Sequence, residues 1–181
     1  QGEEEPGDPR PVPGHLCTLD DPVPEPTVPA GCQVRAVTQA AAEGDRDELA
    51  NRAEAQRDVW QPWTVGNVSD EDYAYFMRLP GYERELDIVA VAPEGVMAAY
   101  VNGLLDPVNK VGDFGPVGTR PAYRRQGLGR AVLLECLRRM QARGMDRVSV
   151  STGVSNTPAI QLYEGVGFKI VNQYLEYVKT P

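Results

Sequence analysis

The chain has one histidine and three cysteines in 181 residues. Cys17, Cys32 and Cys136 show neither CxxC nor Cys/His spacing, which excludes a disulfide framework and leaves no expected metal. His15 stands among Pro11, Pro13 and Pro22, so the remainder of the chain has no imidazole for a catalytic triad, and any general base there must be something else. No uncharged stretch reaches the roughly 18 apolar residues that a membrane span needs. The opening QGEEEPGDPR has neither the basic nor the apolar region of a signal peptide. A cytoplasmic location without a membrane partner is the expectation, and the missing initiator Met fits a processed product or a piece of something longer.

The formal charge is −8, but it is unevenly spread. Residues 1–31 hold seven acids and one base (net −6), leaving 19 acids and 17 bases (net −2) for residues 32–181. Between Arg120 and Arg147, eight arginines face only Glu135 and Asp146, a local excess that suits a polyanionic ligand or a solvated helix face. The acidic whole offers no broad basic footprint, so nucleic acid is not an expected partner.

Eight of the 16 prolines fall within residues 1–31. That segment reads as a Pro-rich acidic arm or interdomain linker, with the domain expected at 32–181. From Gln33 onward the elements alternate. QVRAV reads as a strand, 45–60 as a helix, and Ser69 with Asp70 as the cap of a second helix running to Met77. A hairpin is expected from 86–92 and 96–105, and a further strand over 111–119. Val132, Cys136 and Met140 at i, i+4 and i+8 mark a helix over 127–143 and make Cys136 a core residue. A strand at 147–151, a short helix at 156–165 and strand material from Phe168 complete an α+β mixed sheet.

The segment GPVGTRPAYRRQGLGRAV, residues 115–132, ends a strand in a basic, glycine-containing turn that opens into a helix. Such a turn aims free backbone N–H groups and the positive helix end at one spot, an anion cradle. It is no Walker loop, because no Gly-Lys-Ser/Thr follows. Nor is it the dinucleotide fingerprint, because Val132 stands where the third glycine would be. A later segment, Asn156 to Phe168, reads NTPAIQLYEGVGF.

Together these two segments resemble the GCN5-related N-acetyltransferase (GNAT) family. Its acetyl-CoA loop, Arg/Gln-x-x-Gly-x-Gly/Ala, is matched by Arg124, Gly127 and Gly129. Its later helix, Asn-x-x-Ala-x-x-Leu-Tyr-x-x-x-Gly-Phe, is matched by Asn156, Ala159, Leu162, Tyr163, Gly167 and Phe168. The resemblance implies a GNAT-type acyl-CoA N-acyltransferase fold with splayed central strands and acetyl-CoA as co-substrate. It implies backbone contacts to the cofactor from Val117, Gly118, Thr119, Arg124, Arg125, Gln126, Gly127, Leu128, Gly129 and Arg130, with Asn156 touching the cofactor arm. It further implies that Tyr163 donates a proton to the departing thiolate; a helix aromatic packed on the sheet is the alternative for that residue.

For the base that deprotonates the acceptor amine, Asp113 comes first. It stands on the strand expected to present the thioester, four residues before Val117 and on the same face if no bulge intervenes. Glu83, Glu85 and Asp87 are second choices. The resemblance places the acceptor wall near Trp60 and Trp63, one of which is expected to touch substrate, with Glu85 as a further expected contact. The implied acceptor is a small-molecule amine or a peptide N-terminus, with a non-catalytic acyl-CoA-binding module as the rival reading. The linker-like start also resembles the C-terminal half of tandem-domain family members, so a second GNAT-like domain or a homodimer is an expected partner.

Overall fold

A computed structural model describes residues 10–38, 46–60 and 68–176. One seven-stranded sheet, ordered β2-β3-β4-β5-β6-β1-β7, organises them. Its strands are β1 Arg10–Thr18, β2 Gln33–Ala36, β3 Asp87–Val91, β4 Met97–Asp106, β5 Val111–Thr119, β6 Arg147–Ser151 and β7 Lys169–Glu176. Helices α1 (Arg46–Trp60), α2 (Asp70–Phe76), α3 (Leu128–Ala142) and α4 (Thr157–Gly165) lie between them. Every strand pairing is antiparallel except β5 with β6, which the helix α3 joins by carrying the chain back across the sheet.

The core has two parts, one on each face. Buried Val132, Leu133, Cys136, Leu137 and Met140 of α3 pack with Ile88, Ala90, Phe114, Val148, Tyr163 and Phe168. On the other face, Leu49, Ala53 and Tyr73 of α1 and α2 pack on Val89, Met97 and Tyr100. Burial lifts the Cys136 thiol well above its ordinary pKa, so the expectation of an inert core cysteine holds. Ser69 caps α2 as expected, accepting from the Asp72 amide while the Asp72 carboxylate accepts from Ser69 N at 3.0 Å, a reciprocal capping box.

Residues 10–18 correct the expected arm or linker. They form β1, inserted between β6 and β7 and paired with both. Proline normally argues against such a place, since it donates nothing to a ladder. The register removes the objection. Pairing with β6 begins only at Gly14↔Ser151, whereas pairing with β7 extends back to Arg10↔Glu176. The Pro13 carbonyl accepts from Thr152 N at 3.5 Å, just past the end of β6. N and O of one strand residue point the same way, so the proline nitrogen faces a place where no ladder donor is needed, and Pro11 shares its parity. His15, Cys17 and Leu19 are consequently core residues, His15 only 1% exposed.

Under α1 lies a buried ion pair, Arg52 Nε to Asp87 Oδ1 at 3.2 Å, with neither side chain exposed. Tyr82 OH donates to Asp87 at 3.0 Å and Tyr73 OH also donates to it. The Arg52 guanidinium lies 3.9 Å from the Tyr100 ring centroid and 4.9 Å from that of Tyr73. Asp87, an expected second-choice base, is therefore committed to holding α1 and α2 on the sheet. Arg52→Ala should destabilise the fold by about 3–5 kcal/mol, because it strands a buried carboxylate. Chemical denaturation measures this, and a loss below about 1 kcal/mol would show that the pair is dispensable.

Candidate active site

The strand pair β5–β6 opens partway along. Its registered pairs are Val111↔Arg147, Gly112↔Val148 and Asp113↔Ser149, while β5 continues to Thr119. Beyond Asp113, among the described residues, no strand pairs with the β6-facing edge of β5, so its main chain is available for an added extended ligand. Directly after β5, a short 3-10 turn at Pro121–Tyr123 leads into Arg124 and the start of α3.

The turn before α3 has the geometry its sequence suggests. Gly127, the residue before the first helical position, has φ +83°, and Arg125 has φ +63°. The first amides of α3 have no intrahelical acceptor, and the helix dipole adds positive potential at the same place. Arg124 Nε donates to the Thr119 carbonyl at 3.2 Å, Gln126 Nε2 donates to the Ala122 carbonyl at 3.3 Å, and Arg130 Nη1 donates to the Gly165 carbonyl. These side chains brace the loop against β5, the 3-10 turn and α4. Leu128 and Gly129 are buried. The two glycines of the turn serve different ends. A Cβ on Gly129 would meet Thr119 Oγ1 at 2.9 Å and Leu162 at 3.3 Å, so this glycine admits close packing of α3 on β5 and α4, whereas a Cβ on Gly127 would meet nothing within 4 Å.

Asp113 and Val117 do not share a face. Between Gly103↔Phe114 and Val101↔Val117, Asn102 alone opposes Gly115 and Pro116, and this extra residue reverses the alternation. A Cβ on Gly112 would strike Met140 of α3, and Val117 packs against the α3-side core. Asp113, next to Gly112, points to the opposite face. Gly118 points that way too, since its Cβ would lie 2.7 Å from the Tyr100 hydroxyl. Trp60 Nε1 donates to the same Tyr100 hydroxyl at 2.9 Å, which brings Trp60 to the wall behind Gly118. Trp63 lies outside the described residues.

Asp113 thus stands at the crotch of the opening, on the face away from α3. Its Oδ1 accepts from Ser149 Oγ at 2.6 Å. Partial burial pushes the carboxyl above its ordinary pKa, and the Ser149 hydroxyl pulls it back. Glu85 is not brought to this place. It precedes β3, two strands away from β5, and its carboxylate is paired with Arg84 and, at 3.3 Å, with Arg139 of α3.

Tyr163 is buried on the α3 side against Phe168 and His15, with ring centroids 6.0 and 5.7 Å away. Burial first, then the nearby Tyr100, push its phenol up to about 12. Asn156 caps α4, its Oδ1 accepting from Ala159 N at 3.4 Å while its amide donates to Thr152 Oγ1 at 3.0 Å. The sequence argument missed two of the neighbours. Ser149 was read only as strand, although its alternation with buried Val148 and Val150 puts it on Asp113's face. His15 falls in the segment whose composition reads as an arm or linker. Its two ring nitrogens are buried without a protein partner, so the folded chain does contain an imidazole, and the elimination that favoured Asp113 no longer stands by itself.

The comparisons with known proteins agree with this geometry. The Acetyltransferase (GNAT) family matches residues 52–168. The chain is 30% identical over 153 residues to a mycothiol acetyltransferase of Thermobispora bispora, covering 83% of this chain and 50% of that protein. It is 31% identical over 164 residues to the mycothiol acetyltransferase of Thermomonospora curvata, at 82% and 48% coverage. It therefore spans about half the length of these curated relatives. A GCN5-related N-acetyltransferase from Sphaerobacter thermophilus superimposes with a TM-score of 0.74 at 24% identity, over 94% of this chain and 51% of that one. A tandem GNAT protein from the clavulanic acid biosynthesis pathway does so with a TM-score of 0.68 at 19% identity, over 94% and 53%. Strand opening, helix-start loop and sequence match converge on one conclusion: the chain belongs to the GCN5-related N-acetyltransferase family.

Proposed function

We propose that this chain is an acetyl-CoA-dependent N-acetyltransferase domain that moves an acetyl group to a primary amine by direct attack in a ternary complex. The observation that carries the reading is the coincidence, at one opening of the sheet, of an unpaired β5 edge, a positive-φ glycine before α3, Asp113 on one face and Tyr163 on the other. The fit to acetyl-CoA rests on donors. Amides of Gln126 to Arg130 suit a pyrophosphate, and the β5 backbone at Val117, Gly118 and Thr119 suits an extended pantetheine arm. Acetyl-CoA supplies an activated acyl group on a good leaving thiol.

The chain's own groups divide the proton work. Asp113 takes a proton from the incoming ammonium, directly or through one water, which makes the amine nucleophilic. Tyr163 holds a proton ready for the departing sulfur. Trp60 forms part of the acceptor wall through Tyr100. As the chain spans about half of its curated relatives, a second GNAT-like domain is the partner we favour over a homodimer. The edge strand β7, with Ile170, Val171, Tyr174 and Leu175 each more than half exposed, is consistent with such a neighbour.

The test is thiol release from acetyl-CoA across a panel of amines, with Gly127→Val as the loop control. At φ +83° a β-branched residue is strained by at least about 1–2 kcal/mol, so the loop must reshape while the fold, having open space there, persists. Coenzyme A affinity should fall by about tenfold or more. A folded Gly127→Val protein that binds coenzyme A undiminished would remove the loop from the site.

A further inference from the structure

On the face that Asp113 occupies, a cleft of about 430 Å³ opens at the β4–β5 hairpin, lined by Leu104, Leu105, Asp106, Asn109, Val111, Asp113 and Arg147. This is the side of the sheet opposite α3, from which an acceptor approaches if the proposed transfer is right, and the inference rests on that reading. The charges of the cleft sort themselves by what already satisfies them. Asp106 accepts from the amides of Val108 and Asn109, at 3.1 and 3.0 Å, and from the Asn109 side chain at 2.6 Å. Nearby Lys110 lies 3.9 Å from Asp146. Asp113 uses one oxygen for Ser149. Arg147 is exposed, and among the described residues no acid or carbonyl is found bonded to its guanidinium.

The register fixes how Arg147 relates to the proposed base. Asp113 pairs with Ser149 and Val111 with Arg147, so Arg147 and Ser149 are two residues apart on one face of β6, roughly 7 Å along the strand. Ser149 holds Asp113. A molecule whose ammonium meets Asp113 therefore has, within the reach of one arginine side chain, a planar cationic fork with five donors and no partner. We propose that Arg147 is a specificity-determining residue that binds an oxyanion of the acceptor, so that the preferred substrates are amines carrying a carboxylate or phosphate a few atoms from the nitrogen. Leu104, which pairs with Asp113 from the neighbouring strand and shares its face, offers apolar surface for a substituent beside the ammonium end.

The test separates this inference from the function beneath it. Coenzyme A is titrated first by calorimetry, and a folded chain that does not bind it rejects the acetyltransferase reading itself. Binding to the coenzyme A-loaded protein is then measured for two matched pairs of probes, L-alanine against ethylamine and O-phosphoethanolamine against ethanolamine. An anionic member should bind about tenfold or more tightly than its neutral partner, the scale of a charged hydrogen bond. Whichever pair responds identifies the oxyanion. In Arg147→Met, whose exposed position spares the core, that preference should fall to about one, and in Arg147→Lys it should be partly kept. Where turnover is measurable, the loss should appear in KM for the anionic amine and leave kcat close to wild type. Equal binding within both pairs, no binding of any of the four amines to the coenzyme A-loaded protein, or a preference that survives in Arg147→Met overturns the assignment.

Discussion

Deleting residues 1–18 should abolish cooperative folding. Strand β1 contributes five registered pairs to β6 and seven to β7, and the deletion removes buried His15 and Cys17 from the α3-side core. Each lost ladder hydrogen bond is worth about 1 kcal/mol net, and each buried apolar side chain about 1.5–3 kcal/mol. A domain has about 5–15 kcal/mol in total, so the truncated chain has no margin. Strand β7 would lose its only sheet neighbour among the described residues, and Phe168, which precedes β7 and packs on Phe114 and Tyr163, would lose its anchorage. Thermal unfolding followed by circular dichroism, with amide exchange across 169–176, measures the effect. A truncated chain that melts sharply near the wild-type temperature with β7 still protected would return residues 10–18 to the status of an arm.

That strand also marks where the sequence was legible and where it was not. Helix α3 could be read because its buried residues repeat at helical spacing and Gly127 stands where the chain must turn with positive φ. The hairpin of β3 and β4 could be read because two apolar runs flank Pro93-Glu94-Gly95. Strand β1 could not, because local composition speaks of proline and acid, while what permits a strand there is the early end of β6, a property of a segment more than 130 residues away. The placement of Asp113 was legible only in part. Its strand was right, but its face was set by the bulge opposite Asn102, which pairing reveals and spacing does not. The loop proposed for the cofactor is one contiguous stretch of backbone and so is written into the sequence. The proposed acceptor side is assembled from β4, β5 and β6, so the nearness of Ser149 and Arg147 to Asp113 exists only once β6 lies parallel to β5.

Tyr163→Phe should lower turnover by roughly 10² to 10⁴, the range for loss of a positioned general acid, and leave the affinity for coenzyme A within about twofold, since the donors proposed for the cofactor are backbone groups of another segment. The substitution keeps the ring that packs against His15 and Phe168, so the fold has little reason to change. The pH profile separates the two groups proposed to handle protons. With its pKa pushed up to about 12, the phenol stays protonated throughout the neutral range, and wild-type kcat should show no alkaline decline from Tyr163 until the pH nears that value. If Asp113 is the base, as proposed, the acid limb is its own, because it must be ionised to accept a proton. Its pKa is raised above the ordinary carboxylate value, so the rate falls as pH drops through that raised value. Ser149→Ala removes the hydrogen bond that holds the pKa down and should move the limb to still higher pH, without altering the alkaline side. Tyr163→Phe should instead depress the whole profile without shifting the acid limb. Full turnover in a folded Tyr163→Phe protein would leave the residue as a packing aromatic and transfer protonation of the thiolate to solvent.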